Sequence, residues 1–187
     1  MLVGYSLYSK KEVIKNINFR YKRIKKGDYL NKKEIKYLVI DVDGTLTDGI
    51  IYMGNHGELM KAFSVKDGCG IRDILIPRGI IPIVITGRKS NIVYKRCKEI
   101  GIEEIYQGVN NKFEKMSSII SNFSRVAYIG DDINDLPCMI SVKEMGGIVG
   151  CPKDAVKKII EISDFVADYS GGNGAVRDFI EWLIKEH

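Results

Sequence analysis

Short apolar runs alternate with amphipathic segments along the chain from residue 37 onward. The runs are rich in β-branched residues and lack a strict apolar–polar alternation, which is typical of strands covered on both faces. The amphipathic segments have the apolar spacing and the length of helices. We predict strands at 37–41, 80–85, 125–129 and 147–149, weaker strands near 104–106 and 165–166, and helices at 70–76, 90–100, 112–122, 134–142, 153–162 and 175–185.

Strands that alternate with helices in this way indicate βαβ units. The predicted fold class is α/β, a Rossmann-like three-layer arrangement in which a parallel sheet lies between helices. One segment departs from this pattern: residues 50–65, "IIYMGNHGELMKAFSV", form two β-rich arms around the turn sequence Gly54-Asn55-His56-Gly57. It predicts a β-hairpin flap that leaves the sheet after the first strand, with His56 as a solvated turn residue.

The composition indicates the class of protein and its compartment. With 187 residues, 45% hydrophobic and 28% charged, the chain has the length and composition of one globular domain. No apolar run approaches the roughly 20 residues of a membrane span, and the N-terminus lacks the apolar core of a secretory signal. The four cysteines lie far apart without a CxxC pair, which indicates reduced thiols. We therefore expect a cytoplasmic protein without a membrane partner.

The charge is concentrated near the N-terminus. Residues 1–36 contain eleven lysines and arginines and three acids, which gives this arm a net charge of +8. Since the whole chain has a net charge of +5, the remainder carries −3. We divide the chain into a basic N-terminal extension, 1–34, and a globular domain, 35–187. The extension has no groove-reading motif, so a nucleic-acid partner is not expected. The alternative is a non-catalytic binding or assembly protein that acts through this basic arm.

Candidate chemical groups follow the predicted strands at their carboxyl ends, where open parallel sheets bind ligands. Asp41 ends the first strand, Thr86 follows the second, and "GDDINDLP" follows the strand that ends at residue 129. Lys112 begins a predicted helix at the same edge. Like charges repel by about 1 kcal/mol at 4 Å in water and about 4 kcal/mol at an effective dielectric of 20. Carboxylates gathered this closely therefore predict a bound cation, and Mg²⁺ prefers such oxygen ligands.

Four segments, "DVDGTLTDG", the threonine of "ITGRK", Lys112 and "GDDINDLP", resemble in order the four motifs of the haloacid dehalogenase superfamily of phosphatases. The resemblance spans residues 35 to about 185. It implies that Asp41 is the nucleophile and forms an aspartyl-phosphate, and that Asp43 is the general acid and then the general base. Thr86 and Lys112 would hold the phosphoryl oxygens.

The resemblance also implies a Mg²⁺ site. Its ligands would be Asp41, the backbone carbonyl of Asp43, and Asp131, with Asp135 orienting them from behind. On the sequence alone, Asp132 could take the place of Asp131. Asp48 is expected to lie outside the chemistry, at the turn into the hairpin.

Relatives in this superfamily often carry a cap domain, but this chain has no room for one. Residues 48–86 hold only the hairpin, one helix and one strand, and residues 112–130 hold one helix. The crevice would be open to water, which weakens its electrostatic interactions. We therefore expect a neighbouring subunit to cover it, in a homo-oligomer that is most simply a homotetramer with shared active sites.

Within the capless enzymes, "DGIIYMGNHGELMKAFSVKDGCGIR", "ITGRKS", "YQGVNNK" and "GGNGAVRDF" resemble the branch that hydrolyses 3-deoxy-D-manno-octulosonate 8-phosphate in lipopolysaccharide precursor synthesis. That branch assembles as a tetramer with its hairpins at the centre, and its C-terminal tail can reach a neighbouring site. Arginine suits the carboxylate and phosphate of such a substrate. The implied substrate-binding residues are Asp43, Ser64, Val65, Lys66, Asp67, Gly68, Arg72, Arg88, Arg96 and Lys112.

The sugar acid remains open at this point. Lys66 stands where the branch has arginine, Cys69 replaces a tyrosine-type residue, and "QGVNNK" differs from the usual "QGQ". The alternative substrate is a nonulosonate 9-phosphate of the sialic acid or KDN type. A phosphomutase needs a cap to keep water from its intermediate, and the chain supplies none. The "GGNG" segment could be a flexible connection or a phosphate-binding nest.

Overall fold

The structure, a computed structural model, describes residues 34–186. Six strands form one sheet in the order β5-β4-β1-β6-β7-β8, and all five neighbouring pairs are parallel. A separate antiparallel pair, β2-β3, forms the predicted hairpin. The strands are β1 Tyr37–Ile40, β2 Tyr52–Gly54, β3 Gly57–Met60, β4 Ile81–Thr86, β5 Glu104–Gln107, β6 Val126–Ile129, β7 Ile148–Cys151 and β8 Phe165–Val166.

Six α-helices accompany the sheet in the described part of the chain. Between the first two of them, the helical backbone continues through Gly70–Leu75 and Ile76–Arg78 and ends at Gly79, which has a φ of 77°. The α-helices are α1 Val65–Cys69, α2 Asn91–Glu99, α3 Lys112–Ile119, α4 Leu136–Glu144, α5 Lys157–Ile162 and α6 Ala175–Glu186.

The pairing register of β1 with its two neighbouring strands determines where the candidate site lies. Ile40, the last residue of β1, pairs with Val84 of β4 and Ile129 of β6. The chain builds β4 and β5 on one side of β1 and then returns to build β6, β7 and β8 on the other side. The strand order therefore reverses beside β1, and the crevice at such a reversal is the usual binding position in open α/β sheets.

Two buried clusters cover the two faces of the sheet. Leu38 of β1 belongs to the cluster that includes Phe179 and Leu183 of α6. Val39, the next residue, belongs to the opposite cluster with Met139 of α4. Because successive strand residues point to opposite faces, both faces of β1 are packed, and the predicted three-layer α/β fold is confirmed.

The hairpin is also as predicted, and Gly54 and Gly57 flank its turn. His56 is exposed there, and Asp48 accepts hydrogen bonds from the Ile50 amide at 3.1 Å and the Tyr52 hydroxyl at 2.9 Å. Between β1 and β4 the structure shows this hairpin and one helical segment, without a cap domain. No helix in residues 34–186 combines the length and the apolarity that crossing a membrane requires.

Two predicted helix starts are wrong. The helix predicted at 70 begins at Val65, because the Ser64 hydroxyl caps it by accepting from the Lys66 amide at 3.2 Å. The helix predicted at 153 begins at Lys157, because Val156 has an extended backbone with a φ of −62° and a ψ of 146°. The Lys153 amide donates to the Tyr169 carbonyl, and the Val156 amide donates to the Asp131 carbonyl.

Asp67 ties α1 to the start of α6. Its carboxylate is buried and accepts hydrogen bonds from the backbone amides of Arg177 at 2.8 Å and Gly174 at 3.3 Å. Amides in the first turn of a helix lack acceptors within the helix, and the Asp67 carboxylate provides acceptors for two amides at the start of α6. Burial raises the pKa of Asp67 to about 6, although the backbone amides oppose that shift. The contact fixes the last helix to the segment that follows the hairpin.

We expect Asp67→Ala to lower the free energy of unfolding by about 1–3 kcal/mol, because buried helix amides would lose their acceptor. Urea denaturation would measure the loss. Asp73→Ala is the matched control, since Asp73 lies exposed in the following helical segment and pairs with Arg72. It should change stability by less than about 0.5 kcal/mol. Equal losses in the two variants would contradict the proposed tie.

Candidate active site

Three carboxylates meet at the carboxyl edge of the sheet. Asp41 follows β1, Asp131 follows β6 after one glycine, and Asp135 directly precedes α4. Carboxylate oxygens of the three lie within 4.8 Å of one another. Asp41 and Asp135 are buried, and Asp131 is half-buried. Burial and the charge of Asp135 raise the pKa of Asp41 well above its ordinary value, and burial raises the pKa of Asp131 to about 6.

Lys112 compensates this negative charge. Its Nζ lies 2.5 Å from Asp41 Oδ1 and 2.8 Å from Asp135 Oδ1, and its side chain is buried. Burial alone would lower the pKa of Lys112, but Asp41 and Asp135 outweigh it and hold that pKa above its ordinary value. The lysine therefore stays charged between two carboxylates. The cap residue Asn111 helps to place Lys112, which is the first residue of α3. The Asn111 side chain caps this helix by accepting a hydrogen bond from the Glu114 amide.

The carboxylate of Asp135 is occupied by hydrogen bonds from other groups of the protein. Besides Lys112, it accepts from the Tyr128 hydroxyl at 2.6 Å and from the amides of Asp131 at 3.2 Å and Asp132 at 3.4 Å. It thereby orients the loop that carries Asp131. Asp132 is exposed, and its side chain accepts from the Ile133 amide. The structure thus brings Asp131, and not Asp132, to the other carboxylates.

The loop after β1 fits closely around Asp131. Gly44 has a φ of 94°, and a Cβ at this position would lie 2.0 Å from Asp131 Oδ2. The Thr45 hydroxyl donates to Asp131 Oδ1 at 3.2 Å. Thr86 is buried at the end of β4, and its backbone carbonyl accepts from the Val109 amide. Thr45 was missed in the sequence, where a threonine in "DGTLTDG" gives no signal of its own.

The hairpin supplies two further charges that sequence reasoning missed. The Lys61 ammonium contacts Asp43 Oδ1 and lies 3.0 Å from Glu58 Oε1. The Ser90 hydroxyl donates to the other oxygen of Glu58. Side chains alternate along a strand, so positions 58 and 61 would be expected on opposite faces. They meet because β3 ends at Met60, so the strand alternation does not extend to Lys61.

The predicted substrate residues are only partly brought to this site. Arg88 lies at its rim, with Nε 3.8 Å from Asp43 Oδ2 and Nη2 3.8 Å from Glu58 Oε1. Arg72 instead pairs with Asp73 at 2.8 Å, and Arg96 pairs with Glu99 at 3.0 Å.

The predicted substrate loop, 64–68, is part of a helix. It is the cap and first turn of α1, and the Asp67 carboxylate is occupied by backbone amides rather than free for a ligand. Val65 is exposed, and Gly68 packs against the Arg96 side chain. Lys66 extends over the Tyr169 ring, with Nζ 5.6 Å from the ring centroid.

The "GGNG" segment is packed against the site. The Gly172 amide donates to the Thr45 carbonyl at 3.1 Å, and the Gly171 amide donates to Asp154 Oδ1 at 3.0 Å. A Cβ on Gly171 would lie 1.9 Å from the Gly44 carbonyl oxygen. The segment is neither a flexible connection nor a phosphate-binding nest, because the Gly171 and Gly172 amides donate to acceptors within the protein. These glycines are required because two backbones touch.

The donor set fits Mg²⁺. Clustered carboxylate oxygens are the ligands this ion prefers, and a Mg²⁺ site uses only one or two carboxylates beside water and phosphate oxygens. Asp41 and Asp131 offer such oxygens, whereas those of Asp135 are largely taken up by protein donors. Burial and, after it, the charge of Asp135 raise the pKa of Asp41 and of Asp131, and a bound cation would oppose both effects.

The chain is similar to known proteins over most of its length, although no family model matches it. It is 43% identical over 163 residues to the 3-deoxy-D-manno-octulosonate 8-phosphate phosphatase KdsC of Escherichia coli (strain K12), covering 84% of each chain. The crystal structure of the Moraxella catarrhalis phosphatase of the same name, in complex with magnesium, phosphate and KDO, superposes with a TM-score of 0.76 at 37% identity, covering 83% of this chain and 88% of that one. The cobalt-bound phosphatase YrbI of Haemophilus influenzae gives a TM-score of 0.74 at 33% identity, covering 82% and 90%.

We expect Gly171→Ala to weaken Mg²⁺ binding by about 10- to 100-fold, the usual effect of disturbing groups that support metal ligands. The new methyl group would collide with the Gly44 carbonyl and push the loop against Asp131. Titration calorimetry with Mg²⁺ would measure the affinity. Gly54→Ala is the matched control, because a Cβ there meets nothing closer than Leu59 Cδ1 at 3.6 Å. Unchanged affinity in Gly171→Ala would refute the steric argument.

Proposed function

The chain belongs to the 3-deoxy-D-manno-octulosonate 8-phosphate phosphatase family of the haloacid dehalogenase superfamily, and from this premise we propose that it hydrolyses 3-deoxy-D-manno-octulosonate 8-phosphate to the sugar acid and inorganic phosphate. The observation that carries the proposal is the buried contact of Lys112 with Asp41 and Asp135 beside Asp131. Such a site can accept a phosphate dianion, because a cation already lies beside the attacking carboxylate.

The proposed reaction has two displacements at phosphorus. A carboxylate oxygen of Asp41 attacks, the bond from phosphorus to the C8 oxygen breaks, and Asp43 donates a proton to that oxygen. Water then attacks the aspartyl-phosphate while Asp43 takes its proton, which releases phosphate and restores Asp41. Lys112 and Thr86 hold the phosphoryl oxygens, and Lys112 also reduces the repulsion between substrate and nucleophile.

Magnesium would be held by Asp41, Asp131 and the backbone carbonyl of Asp43. When bound, it neutralises phosphate charge and orients the phosphoryl group. Asp135 supports these ligands, because it holds the Asp131 amide and Lys112 together. The magnesium-bound structure of the Moraxella catarrhalis relative supports magnesium as the ion.

The sugar acid carries a carboxylate as well as a phosphate, and cations would recognise both. Arg88 is suited to this role, since its side chain is 44% exposed at the rim and its planar fork binds anions with two donors. We assign residues 64–68, Arg72 and Arg96 to substrate contacts made in the assembled oligomer. For Asp67 this means the backbone, because its carboxylate is occupied.

We propose a homotetramer in which the hairpins pack together. The hairpin exposes a patch of large apolar side chains, and clustered exposed apolar surface marks protein interfaces. Such packing would cover the open crevice, and the C-terminal tail could reach a neighbouring site. The exposed residues are Ile50, Ile51, Met53, Leu59 and Met60.

We further propose that residues 35–187 are the phosphatase domain and that 1–34 are a basic extension outside its chemistry. The 163-residue match to the curated relatives is close to the length of this domain. The prediction for the extension lies outside the described residues. A cytoplasmic role in lipopolysaccharide precursor synthesis agrees with the four free cysteines.

We expect the chain with Mg²⁺ to release phosphate from 3-deoxy-D-manno-octulosonate 8-phosphate faster than from nonulosonate 9-phosphates. EDTA should abolish the activity, and Asp41→Asn should reduce kcat at least ~10³-fold, as loss of a nucleophile does. Phosphate release measures all three effects. A chain that begins at Ile35 should remain active, which tests the domain boundary.

The matched control is Asp132→Asn, which changes an exposed carboxylate beside Asp131 and should leave kcat almost unchanged. Full activity in Asp41→Asn would exclude the nucleophile assignment. A higher kcat/KM for a nonulosonate 9-phosphate would replace the proposed substrate.

We expect Met53→Lys together with Leu59→Lys to dissociate the tetramer, because lysines would enter an apolar interface. Sedimentation velocity would show smaller species, and the activity would fall as the crevice opens to water. Val156→Lys, at an exposed apolar position outside the hairpin, should leave the assembly unchanged. A wild-type chain that is monomeric and fully active would contradict the proposed assembly.

A further inference from the structure

Lys61 is an almost completely buried cation beside the catalytic carboxylates. Its side chain is 1% exposed, and its ammonium lies between Asp43 Oδ1 and Glu58 Oε1. A lysine is rarely buried to this extent unless its charge is paired. Both of its partners are carboxylates, and Asp43 is the residue to which we assign proton transfer. The position of Lys61 therefore affects the general acid more directly than it affects any other group of the site.

Glu58 is itself fixed to the main sheet. The Ser90 hydroxyl donates to one oxygen of Glu58, and Ser90 caps α2 by accepting from the Val93 amide. The Ser90 amide donates to Gln107 Oε1 at 2.6 Å, at the end of β5. A continuous series of contacts thus connects Asp43 through the hairpin to two rigid elements. Lys61 is the link in that series that touches Asp43.

Arg88 and Lys61 approach the same two carboxylates but differ in freedom. Arg88 lies 3.8 Å from both and is 44% exposed, so its guanidinium can turn towards a substrate anion. The Lys61 side chain is buried between two carboxylates, and its withdrawal would leave Asp43 and Glu58 partly buried without their closest cation. Removing one partner of a buried ion pair is costly for this reason. The two cations therefore have different roles, and Lys61 does not leave to bind substrate.

We propose that Lys61 is a positioning residue that fixes the Asp43 carboxylate in the orientation from which it protonates the leaving oxygen. This role rests on the proposed phosphatase function. Lys61 holds Oδ1, so rotation of the carboxylate is restricted and Oδ2 remains on the side of Arg88. Because Lys61 comes from the hairpin, the orientation of the general acid depends on where the hairpin lies.

The test compares substrates that differ in their need for a general acid. A sugar C8 oxygen must be protonated as it leaves, whereas p-nitrophenolate leaves without a proton. We expect Lys61→Met to lower kcat/KM for 3-deoxy-D-manno-octulosonate 8-phosphate by about 10- to 100-fold, the usual cost of misplacing a catalytic group. For p-nitrophenyl phosphate, kcat/KM should change less than about threefold, because kcat/KM reports the steps up to loss of the leaving group and not the later hydrolysis, in which Asp43 is the base for both substrates. Lys61→Arg should restore part of the lost kcat/KM.

The control is Lys157→Met, since the Lys157 side chain is 90% exposed and its removal should leave both rates unchanged. Equal losses of kcat/KM on the two substrates would overturn the proposal and show a structural role. Weaker inhibition by the free sugar acid, 3-deoxy-D-manno-octulosonate, would also overturn it, because Lys61 would then bind substrate.

Glycerol 3-phosphate, a simple alkyl phosphate, separates failure of this inference from failure of the proposed function. If the wild-type chain hydrolyses it but not the octulosonate, the proposed substrate is wrong, and the Lys61→Met comparison is made on glycerol 3-phosphate. A selective loss on that alkyl phosphate would then support the positioning role, and an equal loss on both phosphates would exclude it.

Discussion

The contact of Lys112 with Asp41 and Asp135 is the interaction on which the rest of the site depends. Two buried carboxylates at the ends of neighbouring elements repel each other by about 4 kcal/mol at 4 Å and an effective dielectric of 20, and burial adds a desolvation cost. The ammonium lies within 2.8 Å of both and offsets this cost. It can do so only if β1, β6 and the start of α3 meet at one edge. The parallel register of the sheet supplies that condition.

A second constraint acts on the loop between β1 and the hairpin. This loop is enclosed between Asp131 on one side and Gly171 on the other, and neither side has space for a Cβ. The tail segment is held in turn by α6, whose first amides bind Asp67. Segments from the beginning, middle and end of the described chain therefore fix the backbone that carries Asp43. Precise placement of a general acid requires such support, because small displacements have large effects on rate.

The sequence predicted the fold well because apolar runs and turn residues are local signals. Predicted and observed strands differ by at most two residues, and the carboxyl ends of the parallel strands bring Asp41 and Asp131 to one edge, as predicted. The start of α1 was missed, since Ser64 was assigned to a substrate loop although its hydroxyl caps a helix. Lys61 could not be predicted, because its contact with Asp43 depends on how the hairpin packs against the sheet.

The hairpin explains how an enzyme without a cap domain can still build an enclosed site. Along β3, Glu58 lies inside, against Ser90 and Lys61, whereas the next residue, Leu59, is 67% exposed. The inner side therefore carries the charges that contact Asp43, and the outer side carries the apolar surface of the proposed interface. Packing of the outer side would restrict the hairpin and hence Lys61. Assembly and alignment of the acid would then depend on a single element, so a domain-sized cap is not needed to couple them.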